Sequence, residues 1–334
     1  MTTRREFIGG AAAAAAVGTA GAADRSWVDD FRFIDVHAHI VEETGCPLYG
    51  TRVPLSNPEE MIRFYDQLGV EKGCMLPLGT CENFIGGQST DEILRVCAAH
   101  PDRFVPMLQL DPRMGGNHAR VDFRPVMRYY RERGCKGIGE ICANIRFTDP
   151  RTLNLLAQAE EMGMSVTFHV SGWEGYYYGL VDDPGLPGLE ECLKRFPKLK
   201  FFGHSQMFWS EIGQYDTVDQ RVGYPTGPVR EIPLEGEGPR LEGRLAALMR
   251  TYPNLYGDLS AGSGANALMR DRAHAIRFMN EFQDRLMFGV DICSPTVAWV
   301  KLPQFLRELA RAGDISETVF RKIGRGNVER LLGI

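Results

Sequence analysis

Two histidines one residue apart, His37 and His39, are the first groups in this chain whose type and spacing invite chemistry. They close an apolar run, Phe33-Ile34-Asp35-Val36, that reads as a strand, and side chains two apart on a strand point to one side. Four later apolar runs also end in an imidazole or a carboxylate: Gly139-Glu140, Phe168-His169, Gly203-His204 and Gly289-Val290-Asp291. Neutral imidazoles and carboxylates together suit a divalent cation, Zn2+ first, with Mn2+ or Fe2+ as alternatives. Each residue also has a plainer reading when taken alone. A strand-end histidine can be a hydrogen-bonded structural group, Asp291 could cap a helix after Pro295, and Glu140 could pair with Arg146. Their common position at the ends of separate strands favours a shared site. His100, His118 and His274 fall away from strand ends and read as structural or solvent-facing.

The elements that must position these groups alternate strand and helix. Strands are expected at Phe33–Val36, Val70–Leu76, Phe104–Leu110, Gly137–Ile141, Ser165–Val170, Leu199–Gly203, Asn254–Leu259 and Leu286–Val290. Most are continuous apolar runs, the pattern of parallel strands buried on both faces. Helices are expected at Pro58–Leu68, Thr90–Ala99, Phe123–Arg133, Leu189–Phe196, Arg240–Thr251, Ala273–Gln283, Val297–Ala312 and Glu317–Leu332. Another opens at Asp149-Pro150, an N-cap followed by proline at the first helical position, and closes at Gly163. Eight such units predict a (β/α)8 TIM barrel occupying 24–334, a fold that typically takes about 250 residues. In this fold the chemistry sits at the C-terminal ends of the strands. The rival, a doubly wound open sheet, lacks its usual support, since no G-x-G-x-x-G or P-loop follows any strand. Gly- and Pro-rich sequence gathers at 213–239, inside an insertion of about 205–240 that reads as a loop over the active face.

Composition sets the outer bounds. The chain has 334 residues, 44% apolar and 24% charged, with a net charge of -5, which fits a globular protein and disfavours general affinity for nucleic acid or anionic membrane. Mean hydropathy is -0.22, and no apolar run beyond the N-terminus nears the length of a bilayer span, so no stable membrane anchor is expected. The start differs in character. Thr3-Arg4-Arg5-Glu6-Phe7-Ile8, then an alanine-rich stretch to Ala23, resembles a twin-arginine export signal, with Gly9 where lysine is usual. Residues 1–23 are therefore expected to engage the twin-arginine translocation machinery and to be cleaved between Ala22 and Asp24, leaving a periplasmic or extracellular protein. None of the eight cysteines forms a C-x-x-C, and nothing in their spacing identifies a disulfide pair.

The order of HxH after the first strand, His after the fifth and sixth, and Asp after the eighth resembles the amidohydrolase superfamily. It is most similar to the amidohydrolase-related (type 2) branch. The likeness runs from Phe33 to Ile334 and includes Phe201-Phe202-Gly203-His204, Asn254-Leu255-Tyr256-Gly257-Asp258-Leu259-Ser260 and Leu286-Met287-Phe288-Gly289-Val290-Asp291. It closes on Phe320-Arg321-Lys322-Ile323-Gly324-Arg325-Gly326-Asn327-Val328-Glu329-Arg330-Leu331-Leu332-Gly333. The resemblance implies that His37, His39, His169 and Asp291 hold a divalent metal, one ion rather than two. His204 is then a second-metal ligand or a catalytic group that polarises the substrate. A metal lowers the pKa of bound water toward about 7, and Asp291 acts as general base, taking the proton and passing it to the leaving group. The implied reaction is hydrolysis of a carbon–oxygen or carbon–nitrogen bond in a small molecule: a lactone, ester or amide.

Glu140 leaves room for a second metal. Gly139-Glu140-Ile141 also resembles the TatD-type nucleases, but Cys142 breaks that likeness at the next residue, and the acidic balance and the C-terminal run favour the amidohydrolase-related branch. That branch also contains non-oxidative decarboxylases of aromatic or unsaturated acids, which should present a positive group to the substrate carboxylate. Arg52 and Arg146 are the candidates, against ordinary ion-pair roles. Trp173 and Tyr176, in a loop that also holds Tyr177 and Tyr178, could line a substrate wall together with Trp209, or pack beneath a lid. A non-catalytic metal-binding protein should lack ligands, and none is missing. A homodimer would be ordinary for the branch.

Overall fold

A computed structural model gives the fold for residues 25–42, 55–82, 88–231, 243–292 and 300–334. The expected export signal, Arg52, Cys46 and Cys293 lie outside the described residues. Eight parallel strands form in the predicted order: β1 Phe33–Ala38, β2 Val70–Met75, β3 Phe104–Pro106, β4 Gly137–Ile141, β5 Ser165–Ser171, β6 Phe201–His204, β7 Leu255–Asp258 and β8 Leu286–Met287. A two-residue stretch, Leu180–Val181, pairs alongside β5 and was not expected. The strands make two ladders, β1–β2–β3 and β4 through β8. Backbone hydrogen bonds join them into a ring. Leu108 N donates to Gly137 O and Gly139 N to Leu108 O, each at 2.9 Å, while Val36 N donates to Phe288 O at 3.0 Å. The result is a closed TIM barrel.

The third strand is predicted to run to Leu110; regular pairing stops at Pro106, beyond which Met107 N still donates to Met75 O at 3.1 Å and Leu108 bridges Ile138. Ile34, Val36, Cys74, Leu76, Val105, Met107, Phe202 and Met287 form one buried cluster. Residues from opposite sides of the ring can share a cluster only across its interior, so this set is the barrel core. Val328, Leu331 and Leu332 of the last helix complete the cluster and floor the barrel. The outward strand residues, among them Phe33, Val166, Phe168, Phe201 and Phe288, pack under the surrounding helices. Five cysteines, Cys74, Cys97, Cys135, Cys142 and Cys192, are buried free thiols and Cys81 is an exposed one.

The helix caps match the residues that suggested them. Asn57 and Glu60 form a capping box at the head of Pro58–Leu68, Asp149 caps Pro150–Met162, and Gly163 ends that helix with φ 66°. The last helix departs from expectation. In place of one run over Glu317–Leu332 there are helices at Glu317–Arg321 and Asn327–Leu332 separated by a wide π-type turn, Lys322–Gly326. That turn frees Ile323 O to accept Phe288 N at 2.9 Å. It also lets Gly324 approach Phe31 so closely that a Cβ there would sit 2.7 Å from the ring. The insertion after β6 is not featureless. It holds short helices Gln206–Ser210 and Val218–Val222, tied down by buried Arg221, which reaches Glu211 Oε1 at 3.3 Å and the carbonyl of Asp182 at 3.0 Å. No helix among the described residues is long and apolar enough to cross a membrane.

His274 lies buried in the helix Arg272–Glu281, its ring stacked on Phe278 at 5.8 Å. Burial pushes its pKa down to about 4. Below about pH 6.5 an unfolded chain takes a proton that folded His274 refuses, so stability should fall by on the order of 2 kcal/mol as pH drops from 6.5 toward 4. Urea unfolding across this window should show a shallower loss in His274→Leu than in the parent, and equal slopes would refute the assignment.

Candidate metal centre

His37 and His39 reach the barrel mouth because β1 changes face beneath them. Ile34 and Val36 point into the core, whereas Ala38 belongs to the outer layer. The β1–β2 register is irregular between Asp35 and Ala38, and this bulge turns the two histidines inward. Strict alternation would have left Asp35, His37 and His39 together on the outer face. Asp35 stays there, accepting Tyr65 O–H at 2.7 Å and the backbone N–H groups of His37 and Val290 at 2.9 Å. Burial pushes its carboxyl up to about 7 against these hydrogen bonds.

Outer partners set the histidine tautomers. His37 Nδ1–H donates to Asp258 Oδ2 at 2.6 Å, and His39 Nδ1–H donates to Leu76 O at 2.7 Å. Both Nε2 lone pairs then face one another at 3.0 Å, a contact that requires a positive charge between them. Glu140 Oε2 lies 3.7 Å from each of these nitrogens. Donors about 2.1 Å from a tetrahedral ion stand about 3.4 Å apart, so these three atoms have the spacing of a ligand set. Asp291 Oδ1 lies 3.2 Å from His39 Nε2 and 3.9 Å from His37 Nε2.

The far side of the same carboxylates meets the other two histidines. Glu140 Oε1 accepts His169 Nδ1–H at 2.8 Å and lies 3.8 Å from His204 Nε2. Asp291 Oδ2 is 3.6 Å from His204 Nε2, whose Nδ1 is 2.9 Å from Ser260 Oγ. Three triads could therefore hold an ion: His37, His39 and Glu140; His37, His204 and Asp291; Glu140, His169 and His204. Asp291 has the left-handed φ of 52°, a conformation aspartate tolerates better than most residues, and its N–H is fixed to His37 O at 2.7 Å. Ser205, just after His204, has φ 102° and turns its Oγ back to accept Val170 N at 3.1 Å.

The charges are strongly coupled. Burial alone would raise the Glu140 carboxyl, but His169 and His37 hold it well below the usual range. Asp291 is likewise lowered, burial being outweighed by His37, His39 and His204. Burial opposes charge on His37 too, yet Asp258 and Asp291 raise its pKa well above the ordinary value. Burial, helped by the charge on His37, lowers His204 to about 4, so it is neutral at physiological pH. The carboxylates thus demand positive charge at the point where the Nε2 atoms meet, which a divalent cation would supply. His37, His39, Glu140 and His204 are all but sealed from solvent, while the Asp291 side chain keeps 16% exposure.

Six predicted site residues therefore converge: His37, His39, Glu140, His169, His204 and Asp291. Others do not join them. Arg146 pairs with Asp183 at 3.1 Å and Glu174 at 3.5 Å, not with Glu140. Trp209 does not face the opening as a substrate wall would; it is buried behind β7, its indole N–H donating to Asp258 O at 2.8 Å. Trp173 and Tyr176 stand exposed in the loop after β5. Asp258 joins the converging residues as one not among the sequence candidates; it ends β7 as the histidines end their strands, and the same strand-end rule points to it.

Comparison with solved structures shows the same architecture elsewhere. A TIM-barrel protein of uncharacterised function from Bordetella bronchiseptica matches with a TM-score of 0.60 and 18% identity, over 91% of this chain and 99% of that one. A probable 2-pyrone-4,6-dicarboxylic acid hydrolase from Acinetobacter baumannii, solved with citric acid bound, gives 0.53 and 11%, over 91% and 100%. A dihydroxybenzoic acid decarboxylase from a Polaromonas species, with manganese and 2-nitroresorcinol bound, gives 0.54 and 14%, over 90% and 97%. At such identities the likeness speaks for the fold. No curated protein matches the chain. The sequence profile of the amidohydrolase family Amidohydro_2 does match, over residues 34–334, and by that match across nearly its whole length the chain belongs to the amidohydrolase family.

Proposed function

We propose that this metal-dependent enzyme is a hydrolase that opens a carbon–oxygen or carbon–nitrogen bond in a lactone, ester or amide. The observation that carries the reading is Asp291: ionised, held 3.2 Å from His39 Nε2, and the donor with the most solvent access. A divalent ion bound among these donors, Zn2+ in our reading, would supply Lewis acidity and bring the pKa of water toward about 7. Asp291 then accepts the proton of the attacking water and returns it to the leaving group. His204 has two roles open to it, and they are opposite tautomers. With Nδ1–H donated to Ser260 Oγ its Nε2 is a ligand; with Ser260 donating, Nε2–H can hold a substrate carbonyl.

A decarboxylase would need a cation for the substrate carboxylate. Arg113, Arg146 and Arg221, which follow β3, β4 and β6, are committed to Asp111 and Glu82, to Asp183 and Glu174, and to Glu211. Of the two arginines named for that role, Arg146 is thus ion-paired and Arg52 lies outside the described residues. A second reading, with two ions, draws on a specific observation: Glu140 and Asp291 each turn one oxygen to His37 and His39 and the other to His204. Elemental analysis of the purified protein should return one metal equivalent for the first reading and two for the second. A screen of lactones, esters, amides and aromatic carboxylates should release acid without CO2. Release of CO2 would replace the hydrolase by a decarboxylase, and absence of any divalent metal would defeat both.

We also propose export by the twin-arginine route, on the strength of Arg4, Arg5 and Phe7. A reporter fused behind residues 1–23 should be exported, and Arg4→Lys with Arg5→Lys should retain it inside the cell.

A further inference from the structure

The loop between β5 and Leu180 carries four aromatic rings that step outward from the metal centre. Tyr178 packs on His169 with ring centroids 4.5 Å apart, Tyr177 follows at 4.4 Å, Tyr176 at 6.3 Å, and Trp173 a further 4.0 Å on. The inner ring touches a site histidine, while Trp173, Tyr176 and Tyr177 remain 43%, 43% and 60% exposed. A run of rings that packed only to stabilise its own loop would be expected to bury more of this surface.

The loop is fixed at several points. Asn144 Oδ1 accepts Gly175 N at 2.5 Å, and its Nδ2 donates to Gly179 O at 3.3 Å and Trp173 O at 3.4 Å, so one amide spans the loop. Gly179 N donates to Cys142 O at 2.7 Å, and Leu180 and Val181 pair with Val170 and Ser171 of β5. Gly179, at φ 115°, lies so near His169 that a Cβ would fall 2.9 Å from the imidazole. The nearby charges leave a net negative balance, one guanidinium (Arg146) between two carboxylates (Glu174 and Asp183), which does not favour an anionic group along the loop.

The geometry points to a stacking subsite for an elongated substrate, one that carries a flat, uncharged ring system beyond its reacting carbonyl or carboxyl group. A single ring held at the metal centre would meet only Tyr178. The outer rings have a use only for a group extending further along the loop. The inference rests on the proposed function only for where the reacting end of the substrate sits.

Binding separates the two ideas. With zinc-loaded protein, p-terphenyl-4-carboxylate and benzoate serve as non-reacting probes of three-ring and one-ring length, followed by calorimetry. Trp173→Ala and Tyr177→Ala should each weaken p-terphenyl-4-carboxylate by several-fold to about tenfold, the size of an aromatic contact, and leave benzoate and the metal content unchanged. Trp173→Phe should restore most of the loss. Equal weakening of both probes, no weakening of either, or a change of oligomeric state in Trp173→Ala would overturn the subsite; the last would make this face a contact between copies. Failure of the hydrolase reading would instead show as no acid release from any ester, with the terphenyl difference intact.

Discussion

Replacing His37 by alanine is expected to strip the protein of its divalent metal and to lower turnover by on the order of a thousandfold or more. His37 belongs to two of the three candidate triads and stands at the meeting point of Asp258, Asp291 and Glu140. Its removal deletes a ligand and also leaves three carboxylates without the positive charge that balanced them. Elemental analysis and a chelator competition for Zn2+ measure the first effect. The second should appear as a lower melting temperature of the metal-free variant at neutral pH, recovering as acid neutralises the carboxylates. A His37→Ala protein that kept a full equivalent of metal would show that Glu140, His169 and His204 suffice, and would remove His37 from the centre of the site.

Asp258→Ala should weaken metal binding by about 10- to 100-fold without touching the ion. The carboxylate fixes the His37 tautomer through the 2.6 Å contact to Nδ1 and is itself braced by Ser260 N at 3.0 Å. Without it the ring can rotate, or put its proton on Nε2, where the lone pair is needed. Turnover should recover in part at saturating metal, because Asp291 and His204, the groups we propose to handle substrate and protons, are left in place. Asp258→Asn should fall between parent and alanine variant, since an amide oxygen can still accept Nδ1–H. Unchanged metal affinity in Asp258→Ala would sink the positioning role.

The strand ends that carry chemistry were legible because each is a local pattern. Apolar runs closing on His37-Ala38-His39, on His169, on His204 or on Asp291 mark both the strand and its functional end. The Pro58–Leu68 helix was readable from its cap and apolar spacing, and its observed bounds agree. Trp209 misled because an aromatic residue looks alike in a wall and in a core; its burial behind Asp258 depends on Gly257, which leaves room for the indole. Asp258 is marked as a functional residue by its place at the end of β7, but its task of orienting His37 is not, because the two lie 221 residues apart in the chain.

By itself the sequence determined the kind and number of donor groups, the strand-helix alternation that sends them to one end of a barrel, and the family. The donors and the alternation follow from residue types and short-range periodicity, which folding does not rearrange, and the family follows from the motif order that its sequence profile matches. Only the tertiary structure decided which way the β1 pair points, since the bulge between Asp35 and Ala38 overrides alternation. It decided too that Glu140 and Asp291 stand between two pairs of histidines, and that Asp258 and Leu76 choose the tautomers. Those outcomes depend on the distances between side chains from different strands, and closing the ring is what brings them within reach.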